Sequence, residues 1–169
     1  MKNLKKLISF AVIFAGITTA AFAQVTATAN ASATIVGPIG ISRTLHMNFG
    51  NVAVSASAGT VVMTPAGARS VTGGCTLPVT TGTVTAATFT VTGADGYTYS
   101  IALPSTDVTI TDGTNNMIVN TFTSNPSGTG TLAGGSEVLT VGATLNVSGS
   151  QVAGTYTSST PFDVTVNYN

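Results

Sequence analysis

The chain has 169 residues, of which 43% are hydrophobic and only 6% are charged, and its formal net charge is zero. Beyond a predicted signal peptide it keeps two arginines, five carboxylates and no lysine, so the net charge becomes −3. This composition argues against nucleic acid and against an anionic membrane surface as partners, because too few cations remain to neutralise phosphates. The length fits one domain.

Residues 1–23 are predicted to be a cleaved signal peptide. Three lysines form a positive n-region, an apolar stretch follows, and Ala21-Phe22-Ala23 supplies the small residues that signal peptidase accepts. The apolar run is too short for a membrane-spanning helix. We therefore expect Gln24 to begin the mature chain, no transmembrane segment in it, and export to the periplasm and then to the cell surface or beyond.

Residues 24–36 are predicted to form an alternating strand with unusually small side chains. Its apolar face comprises Val25, Ala27, Ala29, Ala31, Ala33 and Ile35, with Thr, Asn or Ser between them. Alanine offers little apolar surface, so the strand suits a shallow groove lined by larger side chains. Gly37-Pro38 ends it, and residues 37–169 are predicted to form the main domain.

Many short alternating runs follow in residues 37–169. Residues 87–92 and 97–103 alternate on either side of Gly93-Ala94-Asp95-Gly96, which predicts a hairpin with Tyr97 and Tyr99 in the core. Residues 139–147 form another clear alternating strand. Because no stretch has a 3.6-residue apolar period, the sequence predicts an all-β, antiparallel β-sandwich.

The last eight residues predict a strand with one buried face. Phe162, Val164, Val166 and Tyr168 alternate with polar residues. Because no turn follows in this sequence, we expect the apolar face to pack either against the rest of the chain or against another protein.

Residues that could support catalysis or bind metal are few and scattered. His46 is the only histidine, so a zinc cluster is excluded, and no nucleophile motif supports a triad around it. Residues 112–116 lack the spacing of a calcium loop and predict a turn. Cys75, the only cysteine, is either a buried apolar side chain or an exposed thiol. We therefore expect that the protein is not an enzyme and that it binds no metal and no cofactor.

The order of these motifs resembles an exported bacterial domain family of unknown function over nearly the whole mature chain. More distantly it is similar to spore-coat-U-type and chaperone–usher pilins. The shared features are a strand ending in Phe49-Gly50, Gly154-Thr155-Tyr156 before the last strand, and a penultimate tyrosine, Tyr168. Spore-coat-U-type pilins usually carry a disulfide, for which Cys75 has no partner here.

The pilin resemblance implies an immunoglobulin-like sandwich that lacks its final strand. A periplasmic chaperone would pair with residues 162–168, and an outer-membrane assembly protein would export the subunit. The N-terminal strand of a neighbouring copy, about residues 25–35, would then fill the groove by β-augmentation and build a homopolymer.

Three functions remain open at this stage. The chain is a non-enzymatic fimbria-like subunit assembled by strand exchange, or a stand-alone adhesin or carbohydrate-binding sandwich that uses a loop at residues 124–130. In the third alternative, the N-terminal strand pairs within its own sheet and the protein is a monomeric surface domain.

Overall fold

The computed structural model describes residues 23–169, and the compact domain in it spans Ile35–Asn169. These residues form eleven strands and no helix. In chain order the strands are β1 (Gly40–Leu45), β2 (Ala53–Met63), β3 (Arg69–Thr76), β4 (Ala87–Thr92), β5 (Thr98–Ala102), β6 (Val108–Thr111), β7 (Asn116–Asn125), β8 (Thr129–Thr131), β9 (Ser136–Val147), β10 (Thr157–Ser158) and β11 (Thr165–Tyr168).

The larger sheet has eight antiparallel strands arranged around β9. Its main order is β1-β4-β9-β7-β6-β10, and β2 and β3 join it beside the second half of β9. The first half of β9 pairs with β4 on the same edge, while β7 follows the opposite edge. Gly142 lies where β9 passes from β4 to β2, and a Cβ there would overlap the Met63 carbonyl. The glycine therefore lets β2 approach closely.

The smaller sheet, in the order β11-β5-β8, packs against β4 and β9. The core between the two sheets contains eight buried residues: Ala87, Phe89, Val91, Tyr99, Leu132, Leu139, Val141 and Val166. In β4 and β9 the buried side chains recur at every second position, as expected for strands with one covered face.

A second core lies within the curled larger sheet. It contains Val61, Cys75, Val119, Ala143, Leu145 and Val147. Cys75 is only 3% exposed, and burial raises the pKa of its thiol. Of the two sequence-based alternatives for this residue, the buried apolar side chain is therefore correct.

The predicted all-β antiparallel sandwich is confirmed, but the predicted hairpin is wrong. β4 belongs to the larger sheet and β5 to the smaller one. The connection between them pairs instead with the β8–β9 connection, through Gly93 N–H to Gly135 O at 3.0 Å and Gly96 N–H to Leu132 O at 2.7 Å. Tyr99 is fully buried as predicted, whereas Tyr97 is 44% exposed because it lies in this crossing.

The first 22 residues, which carry most of the predicted signal peptide, lie outside the described residues. Within residues 23–169 there is no helix with the length and hydropathy needed to cross a membrane.

Candidate functional site

Five strands form the outer edges of the two sheets, and four of them carry a charge, a bend or a length of three residues or fewer, each of which discourages pairing with another chain. β8 and β10 have only three and two residues. β3 begins at Arg69 and bends at Gly73, and β1 carries Arg43 beside a register shift. β11 is also short, with four residues, but it has no charge, no proline and no bulge.

One edge of β11 is free. Its ladder to β5 pairs Thr165 with Ala102 and Asn167 with Ser100, and Asn169 N–H donates to Thr98 O at 3.3 Å. Hydrogen-bonded pairs recur every second residue in an antiparallel ladder. The backbone N–H and C=O groups of Val166 and Tyr168 therefore point away from β5, and no strand among residues 23–169 pairs with them. We call this side of β11 the acceptor edge.

Beside the acceptor edge lies β1, the edge strand of the other sheet. β1 and β11 approach within 8 Å between Cα atoms but form no hydrogen-bonded ladder. Four apolar side chains at this β1–β11 seam, Ile39, Ile41, Val164 and Tyr168, pack on the core yet remain half-buried. At the end of β1, Leu45 is 49% exposed. The seam is therefore an apolar surface that the described domain covers only in part.

Phe162 anchors the segment that leads into β11. Its ring lies 5.0 Å from that of Phe122, between centroids, with a tilt of 46°. Phe122 packs against both cores, and Phe162 packs against the core between the sheets. This aromatic pair fixes where β11 begins.

Tyr168 anchors the other end of β11. Its hydroxyl accepts a hydrogen bond from the Ala94 N–H at 2.7 Å and donates one to the Gly37 carbonyl at 3.1 Å. Its ring packs edge-on against Tyr97 at 5.7 Å. A Cβ at Gly93 would overlap the hydroxyl, so the site needs glycine there. Tyr168 thus ties the end of β11 to the chain that precedes β1.

The C-terminal site residues predicted from the sequence lie together on one face. Val166 is 7% exposed, and Phe162, Val164 and Tyr168 are half-buried beside the same core. Alternation predicted this shared face, but not the seam beside it. The contribution of Ile39 and Ile41 was missed because residues 39–48 alternate poorly. Nothing in the sequence indicated that the hydroxyl of Tyr168 would bond to Gly37 and Ala94.

The N-terminal site residues predicted from the sequence are all exposed. Val25 is 93% and Ile35 is 91% exposed, the alanines at positions 27, 29, 31 and 33 are exposed as well, and residues 23–39 form no strand. Their predicted contacts are with a second copy of the chain, so this role stays a prediction. We call residues 25–35 the donor segment.

The polar residues considered for metal binding or catalysis lie in a turn or at the surface. Asp112 lies in the β6–β7 turn, as predicted. Its carboxylate accepts hydrogen bonds from Asn115 N–H at 2.6 Å, Asn115 Nδ2 at 3.0 Å and Thr114 N–H at 2.9 Å, which lower its pKa to about 2. His46 is exposed. Among residues 23–169, no three His, Cys, Asp or Glu side chains are grouped as metal ligands would be.

The loop predicted at residues 124–130 is mostly strand. β7 continues to Asn125 and β8 begins at Thr129, so only three residues connect them. Ser124 Oγ donates to the Pro126 carbonyl at 2.8 Å across this short connection. Of the seven residues predicted as loop, only residues 126–128 lie outside the strands.

These features define an all-β sandwich domain in which, within residues 23–169, the outer edge of β11 lacks such protection and lies beside a partly covered apolar seam. The chain belongs to the family DUF4402, a domain of unknown function, whose family model matches residues 39–168. This match confirms the predicted membership of a domain family of unknown function, whereas export and the similarity to spore-coat-U-type pilins stay predictions. No curated protein and no solved structure matches the chain.

Proposed function

We propose that this protein is an exported, non-enzymatic subunit of a surface fibre that assembles by strand exchange. The donor segment of one copy would add a strand to the acceptor edge of the next copy. The observation that carries the proposal is the free edge of β11 beside the half-covered β1–β11 seam.

The donor segment has the chemistry that such an edge would recognise. In β-augmentation, backbone hydrogen bonds supply affinity and alternate side chains fill pockets. The free N–H and C=O groups of Val166 and Tyr168 offer the hydrogen bonds, and the seam offers an apolar surface for every second donor side chain. The donor segment alternates over all eleven of its residues, from Val25 to Ile35.

Length and side-chain size also fit. At about 3.3 Å per residue, the eleven donor residues extend about 36 Å, and the seven residues 162–168 extend about 23 Å. The donor segment can therefore span the whole acceptor edge. Ile39, Ile41 and Tyr168 are half-buried and packed on the core, so a donor strand would lie over side chains that already occupy the seam. Alanine side chains need little depth, and the larger Val25 and Ile35 stand at the donor's two ends.

Export by way of the signal peptide is part of the same proposal. Before assembly, a free apolar edge is prone to pair with the wrong partner. A periplasmic chaperone that pairs with residues 162–168 would protect it, and an outer-membrane assembly protein would pass subunits to the surface, as the pilin resemblance implies.

Two charge-matched variants of the mature chain, residues 24–169, test the proposal. Ala29→Asp places a carboxylate on the apolar face of the donor segment, and burying it without a partner would cost several kcal/mol. Thr28→Asp adds the same charge on the polar face, where it stays in water. We expect fibres by size-exclusion chromatography and negative-stain microscopy from the unmodified chain and from T28D, and monomers from A29D.

A chain that lacks residues 24–35 should also remain monomeric. Fibres from A29D equal to those from T28D, or fibres from the deletion, would contradict donation by this segment. A stable monomer from the unmodified mature chain would contradict homopolymer formation.

A further inference from the structure

We propose that the Tyr168 hydroxyl couples the acceptor edge of a subunit to the base of that subunit's own donor segment. Occupation of the acceptor edge by one neighbour would then fix the point from which the subunit donates to the next. This inference rests on the proposed function and adds a positioning residue that makes growth of the fibre cooperative.

The geometry joins three parts of the domain at one oxygen atom. Tyr168 is the last residue of β11, and its hydroxyl contacts Ala94 in the β4–β5 connection and Gly37, 131 positions earlier in the chain. Gly37 lies two residues after Ile35, where the donor segment ends. One side chain therefore touches both the strand that accepts a neighbour and the chain that leads to the donor.

The hydroxyl is held in one orientation. It uses its acceptor capacity for the Ala94 N–H and its single proton for the Gly37 carbonyl. The ring is fixed by its edge-on contact with Tyr97, and Gly93 leaves room for the oxygen. A phenylalanine would keep the ring contact and lose both hydrogen bonds.

β11 has few hydrogen bonds to hold it in place when no neighbour occupies the acceptor edge. β11 has four residues and pairs on one side only, so its end opens more readily than a strand paired on both sides. A donor on the free edge would bond the backbone of Tyr168 and hold its ring in place. The hydroxyl would then hold Gly37 more firmly. Because coupling between two sites is reciprocal, a fixed donor base would in turn favour occupation of β11.

The test uses A29D as the background, because its own donor is blocked while β11, Tyr168 and Gly37 are intact. A synthetic peptide of residues 25–35 serves as the neighbour's donor, and amide hydrogen exchange is measured with and without it. We expect the peptide to slow exchange of the Val166 amide, which reports that the donor has bound. We also expect it to slow exchange of the Ala94 amide by about five-fold or more, which reports a stronger hydrogen bond from Ala94 to the Tyr168 hydroxyl.

Adding Tyr168→Phe should remove the peptide's effect on Ala94 while the slowing at Val166 remains. Tyr97→Phe is the matched control, because it removes a hydroxyl from the neighbouring ring and should leave both effects intact. In the otherwise unmodified chain, Y168F should give shorter fibres than Y97F.

The two proposals fail in different places. If the peptide does not slow exchange of Val166, strand exchange at β11 is wrong. If it slows Val166 and still slows Ala94 to the same extent in Y168F, the coupling through the hydroxyl is wrong while strand exchange stands. Equal fibre lengths for Y168F and Y97F would also contradict the coupling.

Discussion

The contact between Tyr99 and Glu137 links the two sheets, and its removal should have a measurable cost. Tyr99 on β5 is fully buried, and its hydroxyl donates to Glu137 Oε2 on β9 at 2.8 Å. The same oxygen accepts the Thr131 N–H at 2.9 Å. Tyr99→Phe removes the hydroxyl and keeps the ring, so it isolates this hydrogen bond from the packing of the core.

The magnitude follows from the kind of bond that is lost. A hydrogen bond to a charged group contributes roughly 1.5–3 kcal/mol to stability. Glu137 keeps its bond to Thr131 in the variant, so we expect a loss in the lower half of that range, about 2 kcal/mol. For a domain of this size, 1 kcal/mol shifts the Tm by roughly 2–4 °C, which predicts a decrease of about 4–8 °C.

Thermal unfolding followed by circular dichroism measures this decrease, and urea unfolding measures the free energy directly. Tyr97→Phe is the matched control, because Tyr97 is 44% exposed and its hydroxyl makes no hydrogen bond within residues 23–169. We expect it to change stability by less than about 0.5 kcal/mol. A Y99F variant with the Tm of the wild type, or equal losses in the two variants, would refute the reasoning.

Three further predictions concern the same core and the β6–β7 turn. Burial, followed by the hydrogen bond and charge of Glu137, raises the pKa of Tyr99 well above its usual value of about 10. Because the folded protein holds the Tyr99 proton more tightly than the unfolded chain does, the stabilisation is fully present below the unfolded pKa and decreases as pH rises above it. The Tm of the wild type should therefore fall above about pH 10 more steeply than that of Y99F. Hydrogen bonds from Asn115 and Thr114 lower the pKa of Asp112 to about 2. The ionised carboxylate therefore stabilises the folded state above about pH 4, and this stabilisation is lost as pH falls toward 2. The difference in Tm between wild type and Asp112→Ala should therefore narrow between pH 5 and pH 2, and a constant difference would contradict it. Gly130→Ala places a Cβ onto the Tyr99 ring and the Glu137 carboxylate, and should cost about 1–3 kcal/mol in urea unfolding. An unchanged urea midpoint would contradict this overlap.

Alternation predicted which residues face the core better than it predicted which strands pair. The buried face of β9 and the shared face of residues 162–168 were both evident in the sequence, because period 2 directly reports a covered face. The hairpin between β4 and β5 was wrong because the same alternation fits two strands that cross between sheets. Pairing is decided there by the long-range bonds of the β4–β5 connection to the β8–β9 connection.

The candidate site depended on contacts that no local pattern encodes. β1 contributes to the seam although its residues alternate weakly, and the Tyr168 hydroxyl finds a partner 131 positions away. The sequence predicted an alternating strand that ends at Tyr168, but it did not predict the hydrogen bond from the Tyr168 hydroxyl to Gly37. The first part of β2 was also missed, because residues 53–58 are small and mostly exposed and pair irregularly with β3.

The most direct test of strand exchange is a cysteine scan of the donor segment against the acceptor strand. One copy carries Asn167→Cys on the polar face of β11, and a second copy carries a cysteine at each of positions 25–35 in turn; Cys75 is buried in both. In a β-ladder, neighbours on the same face come close and alternate residues point away. Strand exchange predicts disulfides between copies at even donor positions such as Thr28 and Asn30, and none at the alanines between them. Cross-links without this alternation, or none at any position, would contradict it.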